Sequence, residues 1–400
     1  MTPDHEPVPT DLPKADPTEA TGADTAAAPN WKAILHEPRR VVVKVGSSTL
    51  AAVVDGRPYL DAFVDAIAGL RKAGLDVVIV TSGAVACGMQ RLNFTERPRE
   101  LALVQALAAV GQADLMGRYG TSFARHGLQS AQILLTHEDI ARRHHFLSLR
   151  HTLAELFDLG VVPIVNENDT VATEELRFGD NDRLAAAFAT VLEADLVILL
   201  SDIPCLYDRD PRLDSRAMPI REVAKIDDQV KQMAGRAGSG VGTGGMVSKI
   251  EAAQIAVEAG IPLVIALGAD PTIVPRLIAG EPLGTLFHPT KKVDRRRHWI
   301  GFLSKVQGVV LVDAGAVRAL RERPASLLPI GVTGVIGHFA AGDGVEIRGP
   351  DNEAIGRGLV GYDDKTLASI VGLRSDAVAE RLGRSVIDPV IHRNDLVLAT

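Results

Sequence analysis

Between Val41 and Gly268 six short apolar runs recur, rich in β-branched residues: VVVKV (41–45), VVIVT (77–81), QILLT (132–136), VVPIV (161–165), LVILL (196–200) and PLVIAL (262–267). Their almost unbroken apolarity predicts strands covered on both faces rather than one. Between them lie longer segments of helical spacing, such as LDAFVDAIAGLRKAG (60–74) and the stretch 98–127. Strand, helix and next strand join by right-handed crossovers, so the alternation predicts an open, mostly parallel α/β sheet sandwiched by helices. Ligands of such sheets bind at the carboxyl ends of the strands, and those ends direct the search for function.

Past Phe287 the texture changes. HPTKKVDRRRHW (288–299) is a charged connector, and after it come short runs separated by glycine: GVVLVD, IGVTGVIGHF, GDGVEIRG and AIGRGLVGYD, interrupted by the helical AGAVRALRER and DKTLASIVG. This predicts a second, small β-barrel-like domain over 295–400. Residues 1–35 are rich in Pro, Ala, Asp and Thr with little to bury, and are expected to be a disordered tail. A net charge of -7 argues against a dedicated nucleic-acid binder. The two cysteines, Cys87 and Cys205, make no disulfide framework or metal cluster and fit a reducing compartment. No apolar run is long enough to span a bilayer, and the N-terminus lacks the basic start and apolar core of a secretory signal; a cytoplasmic protein is expected.

The residues just past each strand are small, polar or acidic. Lys44 lies inside the first run and precedes GSS, whose small residues let backbone N–H groups approach an anion. In TSGAVACG, Ser82 and Gly83 sit where a strand turns into a helix and can present N–H groups to an anionic substrate; Ser82 could equally be an ordinary N-cap. NENDTVA (166–172) and GDNDRLAAAF (179–188) are read as acidic loops, carrying Asn166, Glu167, Asn168 and Asp169 on one and Asp180, Asn181 and Asp182 on the other. Capping explains one of these residues, not all; the group can accept hydrogen bonds from an amino group, hold basic side chains in position, or bind water around Mg2+. Asp202 follows the fifth strand, after Ser201.

The run GVGTGGMVSKIEAA (240–253) is not a Walker A loop, because Lys249 stands four residues after Gly245 and follows Ser248. It does predict a helix from Met246, with Met246, Ile250, Ala253 and Val257 on one apolar stripe and free N–H groups from Thr243 to Val247. Lys249 can lean back over that end, so Lys44 and Lys249 could meet across one crevice. Such a site suits phosphoryl transfer to a carboxylate, which is already ionised and needs no general base. His137, His144 and His145 lack zinc-site spacing and are read as a solvated helix face, so no metal ligands are expected.

In this order VVVKVGSSTL, VVIVTSGAVACG, VVPIVNENDTVA, FGDNDRLAA, LLSDIPCLYDRDPR and GVGTGGMVSKIEAA resemble the glutamate 5-kinases of the amino-acid kinase superfamily, over about 38–290, and the C-terminal part resembles a PUA domain. The resemblance implies ATP-dependent phosphorylation of the γ-carboxylate of L-glutamate in proline biosynthesis, with Mg2+ arriving on the ATP phosphates and feedback inhibition by proline near the glutamate pocket. It implies that Lys44 and Lys249 stabilise the transferring group while Asp182 orients them. Ser82, Gly83, Asp169 and Asn181 would bind glutamate; Ser201, Asp202, Thr243, Gly244, Gly245, Met246, Val247, Ser248, Lys44 and Lys249 would bind the nucleotide. The acidic loops suit a free α-amino group and favour glutamate over the acetylglutamate of a related kinase. A homo-oligomer is expected, and RNA binding by the PUA-like domain is disfavoured by the acidic chain. Ser201 in place of threonine, Val247 in place of a small or hydroxylated residue, and Cys87 in place of alanine depart from the family pattern without touching a charged position.

Overall fold

The structure is a computed structural model that describes residues 30–35, 37–141, 143–171, 181–211, 213–236, 245–290, 306–323, 325–383 and 389–398. Its larger sheet contains β1 (Arg40–Val45), β2 (Asp76–Thr81), β3 (Ser130–Leu135), β4 (Val162–Glu167), β5 (Leu196–Ser201), β6 (Glu222–Val223), β7 (Leu263–Leu267) and β8 (Thr285–Phe287). The order across the sheet is β6, β8, β7, β5, β1, β2, β4, β3. The pairs within β7, β5, β1, β2, β4 and β3 are parallel, and β8 runs antiparallel to β7. From β1 the chain winds to one side through β2, β3 and β4, then crosses to β5 on the other. That reversal beside β1 is where an open parallel sheet leaves a crevice.

Helices α1 (Tyr59–Lys72), α2 (Ala84–Arg91), α3 (Leu101–Ala124), α4 (Arg143–Asp158), α5 (Asn181–Leu192) and α6 (Met246–Glu258) cover the sheet. Successive side chains of a strand point to opposite faces, and the core divides accordingly. Val42, Val78, Val80, Val165, Val197 and Leu199 pack with residues of α5 and α6, whereas Val41, Val43, Val45, Val77, Ile79 and Ile198 pack with α1 and α3. Lys44 therefore shares the face of Val42 and is aimed at α5 and α6. Met246, Ile250, Ala253 and Val257 are all buried, as their spacing predicts.

Several expectations need correction. Asn166 and Glu167 are not in a loop: β4 continues through them because the parallel ladder with β3 pairs Leu134 with Asn166 and Leu135 with Glu167. Asn181 and Asp182 open α5 instead of preceding it. The expected disordered tail does not reach residue 35, because Trp31–Leu35 form a short helix whose Trp31 and Leu35, one turn apart, are buried in the core. Residues 1–29, most of the charged connector, and Asp180 lie outside the described residues.

The second sheet has β9 (Val306–Val312), β10 (Val332–Gly337), β11 (Gly344–Arg348), β12 (Ala354–Val360) and β13 (Ile391–Leu398), with α7 (Ala314–Glu322), α8 (Asp364–Ile370) and α9 (Ser375–Leu382). Its order is β10, β9, β11, β12, β13. Leu327, on the segment leading into edge strand β10, bridges Ile391 of the opposite edge strand β13. The sheet thus curls toward closure, and it encloses its own core around Val310, Ile347, Leu367 and Ile391. Strand β13 and helix α9 are additions to the elements expected from the sequence. No helix of the described residues is long and apolar enough to cross a membrane.

Candidate active site

The strand register sets polar groups at the carboxyl end of the sheet. Val45 pairs with Thr81, Lys44 with Val80 on one side and Leu199 on the other, and Leu267 with Ser201. Asp182, in the first turn of α5, reaches the same place and is fully buried. Its Oδ1 lies 2.6 Å from Lys44 Nζ and its Oδ2 2.9 Å from Lys249 Nζ of α6. Ser248 Oγ approaches the same Oδ2 at 3.3 Å and donates to the Gly245 carbonyl at 2.9 Å. The two lysines do meet across one crevice, and they meet on Asp182.

Burial by itself would raise the Asp182 carboxyl. The two ammonium groups outweigh it and hold the group below the usual carboxylate range. One carboxylate between two ammonium groups leaves a net positive charge where water is scarce. Such a site attracts an anion and discourages any other occupant.

Beside this triad, Asn181 Nδ2 lies 2.9 Å from the Thr81 carbonyl, 2.7 Å from Ser82 Oγ and 3.2 Å from Asn166 Oδ1. Ser82 is thus not a helix cap. The N-cap of α2 is Gly83, in the left-handed region at φ 113°, a conformation that favours glycine. The Asn181 Oδ1 is buried and accepts no hydrogen bond among the described residues.

A cavity of about 280 Å³ is lined by α3 (Ala108, Gln112), β3 (Gln132) and the end of β4 with its following turn (Glu167, Asp169). Burial pushes the Asp169 carboxyl up, and the Arg97 guanidinium offsets only part of that. A carboxylate in this state gains from a ligand cation.

On the other side of β1, Ser201 Oγ lies 3.1 Å from Asp202 Oδ1, and the Ser201 carbonyl accepts from Gly268 N at 2.7 Å. Helix α6 starts at Met246 with Gly245 as its N-cap, and no side chain caps it. Met246 is buried and Val247 exposed at that end. Thr243 and Gly244 lie outside the described residues. Of His137, His144 and His145, the described side chain is that of His145, whose Nδ1 lies 3.1 Å from Asp139 Oδ1. Two participants were not expected from the sequence: Thr81, whose carbonyl takes part here, and Gln112, which touches Asn166. Thr81 closes an otherwise apolar run and Gln112 is one of several polar residues of α3, and only strand register and helix packing bring them into play.

Comparison with known proteins shows the family. The amino acid kinase family matches residues 39–267 and the PUA domain matches residues 308–382. A glutamate 5-kinase of Carboxydothermus hydrogenoformans is 48% identical over 368 residues, covering 91% of this chain and 99% of that protein. Those of Trichlorobacter lovleyi and Streptomyces coelicolor are 44% and 46% identical, covering 92% and 90% of this chain and 99% and 97% of theirs. The chain belongs to the amino acid kinase family and, within it, to the glutamate 5-kinases.

Proposed function

We propose that this site transfers the γ-phosphoryl group of ATP to the γ-carboxylate of L-glutamate, giving glutamyl 5-phosphate and ADP in proline biosynthesis. The observation that carries the reading is the pair Lys44 and Lys249 on the buried Asp182. A glutamate γ-carboxylate oxygen attacks the γ-phosphorus while the bond to the ADP oxygen breaks. The carboxylate is ionised at neutral pH, so no proton has to be removed. Charge spreads over the three equatorial oxygens of the moving group, and the two ammonium groups neutralise it from fixed positions. Asp182 orients them by holding one on each of its oxygens.

The uncapped start of α6 fits a polyphosphate: its first N–H groups and the positive end of its dipole are open to an anion. Gly245, Met246, Val247 and Ser248 contribute there, with Thr243 and Gly244 preceding them, while Ser201 and Asp202 flank the nucleotide from β5. Mg2+ would arrive on the phosphates and supply further positive charge; among the described residues no three His, Cys, Asp or Glu side chains converge on a metal position. Ser82, Gly83, Asp169 and Asn181 form the amino-acid subsite. Asp169 and the Asn181 carbonyl are acceptors for a free α-ammonium, which an acetylated substrate lacks. Proline carries the same ammonium and carboxylate pair, so this subsite is also where feedback inhibition acts. The catalytic unit spans 38–290 and the PUA-like unit 295–400, and the chain works as a homo-oligomer.

Trapping of the acyl phosphate with hydroxylamine tests the reaction. ATP-dependent hydroxamate is expected from L-glutamate and not from N-acetylglutamate; the opposite selectivity would overturn the reading.

A further inference from the structure

We propose that Gln112 of α3 is a positioning residue for the amino-acid subsite, acting on Asn181 through Asn166. The inference rests on the glutamate reading of that subsite. Four side-chain amides form one chain: Asn181 Nδ2 faces Asn166 Oδ1 at 3.2 Å, Asn166 Nδ2 donates to Gln112 Oε1 at 2.8 Å, and Gln112 Nε2 donates to Gln132 Oε1 at 3.2 Å. Every donor points the same way, from α5 across β4 to α3 and the edge strand β3.

The direction is not arbitrary. The Thr81 carbonyl can only accept, so Asn181 must turn its NH2 toward β2. The Glu167 backbone N–H can only donate, and it lies 2.9 Å from Asn166 Oδ1, so Asn166 must turn its NH2 toward Gln112. Two fixed backbone groups therefore set the orientation of the inner amides, and Gln112 supplies the acceptor that lets Asn166 hold its own. Asn166 is 2% exposed and Gln112 9% exposed, so solvent offers little replacement for a lost partner.

At the head of the chain stands Asn181 Oδ1, buried and accepting nothing among the described residues. An oriented carbonyl without a donor is a subsite for a ligand N–H group. Gln112 touches neither this oxygen nor the triad around Asp182. Its effect falls on how well the acceptor is held, and so on binding of the amino acid.

The test uses the full chain and steady-state kinetics in both substrates. Gln112→Met keeps the length of the side chain but gives Asn166 no oxygen; it is expected to raise KM for glutamate about tenfold, with kcat and KM for ATP within about twofold of the parent. Gln112→Glu restores an acceptor for Asn166 Nδ2 and should recover most of the loss. Combined with Asn181→Ala, Gln112→Met should add little further, because its route to the ligand is already gone.

An unchanged KM in Gln112→Met, a full additional penalty in the double variant, or a parallel fall of kcat, ATP affinity and thermal midpoint would each overturn the proposal. Absence of glutamate-dependent hydroxamate in the parent chain would instead defeat the underlying reading, before any variant is compared.

Discussion

A carboxylate with two ammonium partners and no solvent is an unusual state for an aspartate, and Asp182 holds it only because three elements converge. Lys44 comes from a central strand, Lys249 from the fourth position of a helix, and Asp182 from the second residue of another. Replacing Asp182 leaves two buried ammonium groups without their counter-ion, a more costly defect than a lost surface pair, whereas replacing either lysine leaves a balanced pair and removes the surplus positive charge that attracts an anion. Asp169 is in the opposite condition: burial raises its carboxyl, and the Arg97 guanidinium makes up only part of the difference. A raised carboxyl protonates earlier as pH falls. Once protonated, it would no longer offer an anion to a substrate ammonium, the role proposed for it. The acidic limb of kcat/KM for glutamate should therefore fall at a pH above the ordinary carboxylate value, and so above the titration of the substrate's own γ-carboxyl. Asp169→Asn should lower kcat/KM throughout and remove that limb; a pH profile with the limb intact in the variant would separate Asp169 from the amino-acid subsite.

The turn carrying Ser82 and Gly83 is placed by how α2 meets α3, and that meeting depends on glycine. A Cβ on Gly111 of α3 would overlap the Ala84 carbonyl oxygen, and one on Gly88 of α2 would overlap that of Leu107. The two helix backbones touch, and α2 begins immediately after the turn. Gly111→Ala gains about 1 kcal/mol of helix propensity but must push the helices apart, and forced overpacking costs about 1–3 kcal/mol. The variant should lower the thermal midpoint and raise KM for glutamate, since Ser82, Gly83 and the adjacent Gln112 all shift. Gly117→Ala, on the same helix with open space around it, should leave KM unchanged and hold or raise the midpoint. Equal behaviour of the two variants in thermal denaturation and kinetics would dismiss the close approach as a determinant of the site. At this scale the sequence was legible wherever a single chain segment carried the information. Apolar runs gave the strands of the parallel core, and the stripe Met246, Ile250, Ala253 and Val257 gave α6. It was not legible where pairing between distant segments decides. Asn166 and Glu167 look like loop residues until β3 pairs with them, and β8 and β13 are short or polar enough that only their neighbours make them strands. Gln112 carries no signal at all in isolation.

Across the whole molecule the chain builds separate hydrophobic cores on its two sheets. The larger sheet is packed on both faces, and it extends past the matched family segment: β8 joins it, and Thr290 N donates to the Val257 carbonyl at 2.9 Å. The smaller sheet encloses a core of its own. Phe146 of α4 packs against the larger core and also meets Leu359 of the smaller sheet, against which Val397 packs as well. Among the described residues this shared apolar contact is far smaller than either core, so the two units should unfold in separate steps rather than as one cooperative whole. The ligands proposed for the Asp182 crevice would bind the larger unit, and a ligand at a hundred times its dissociation constant stabilises its host by about 2.7 kcal/mol. For a unit of this size that corresponds to a rise of roughly 5–10 °C in its midpoint. Calorimetry of the full chain should thus show two transitions, with saturating ADP or glutamate moving one of them and leaving the other in place. A single transition that moves as a whole with ligand would mean that the contact through Phe146 couples the cores, and that the smaller domain takes part in the stability of the active site.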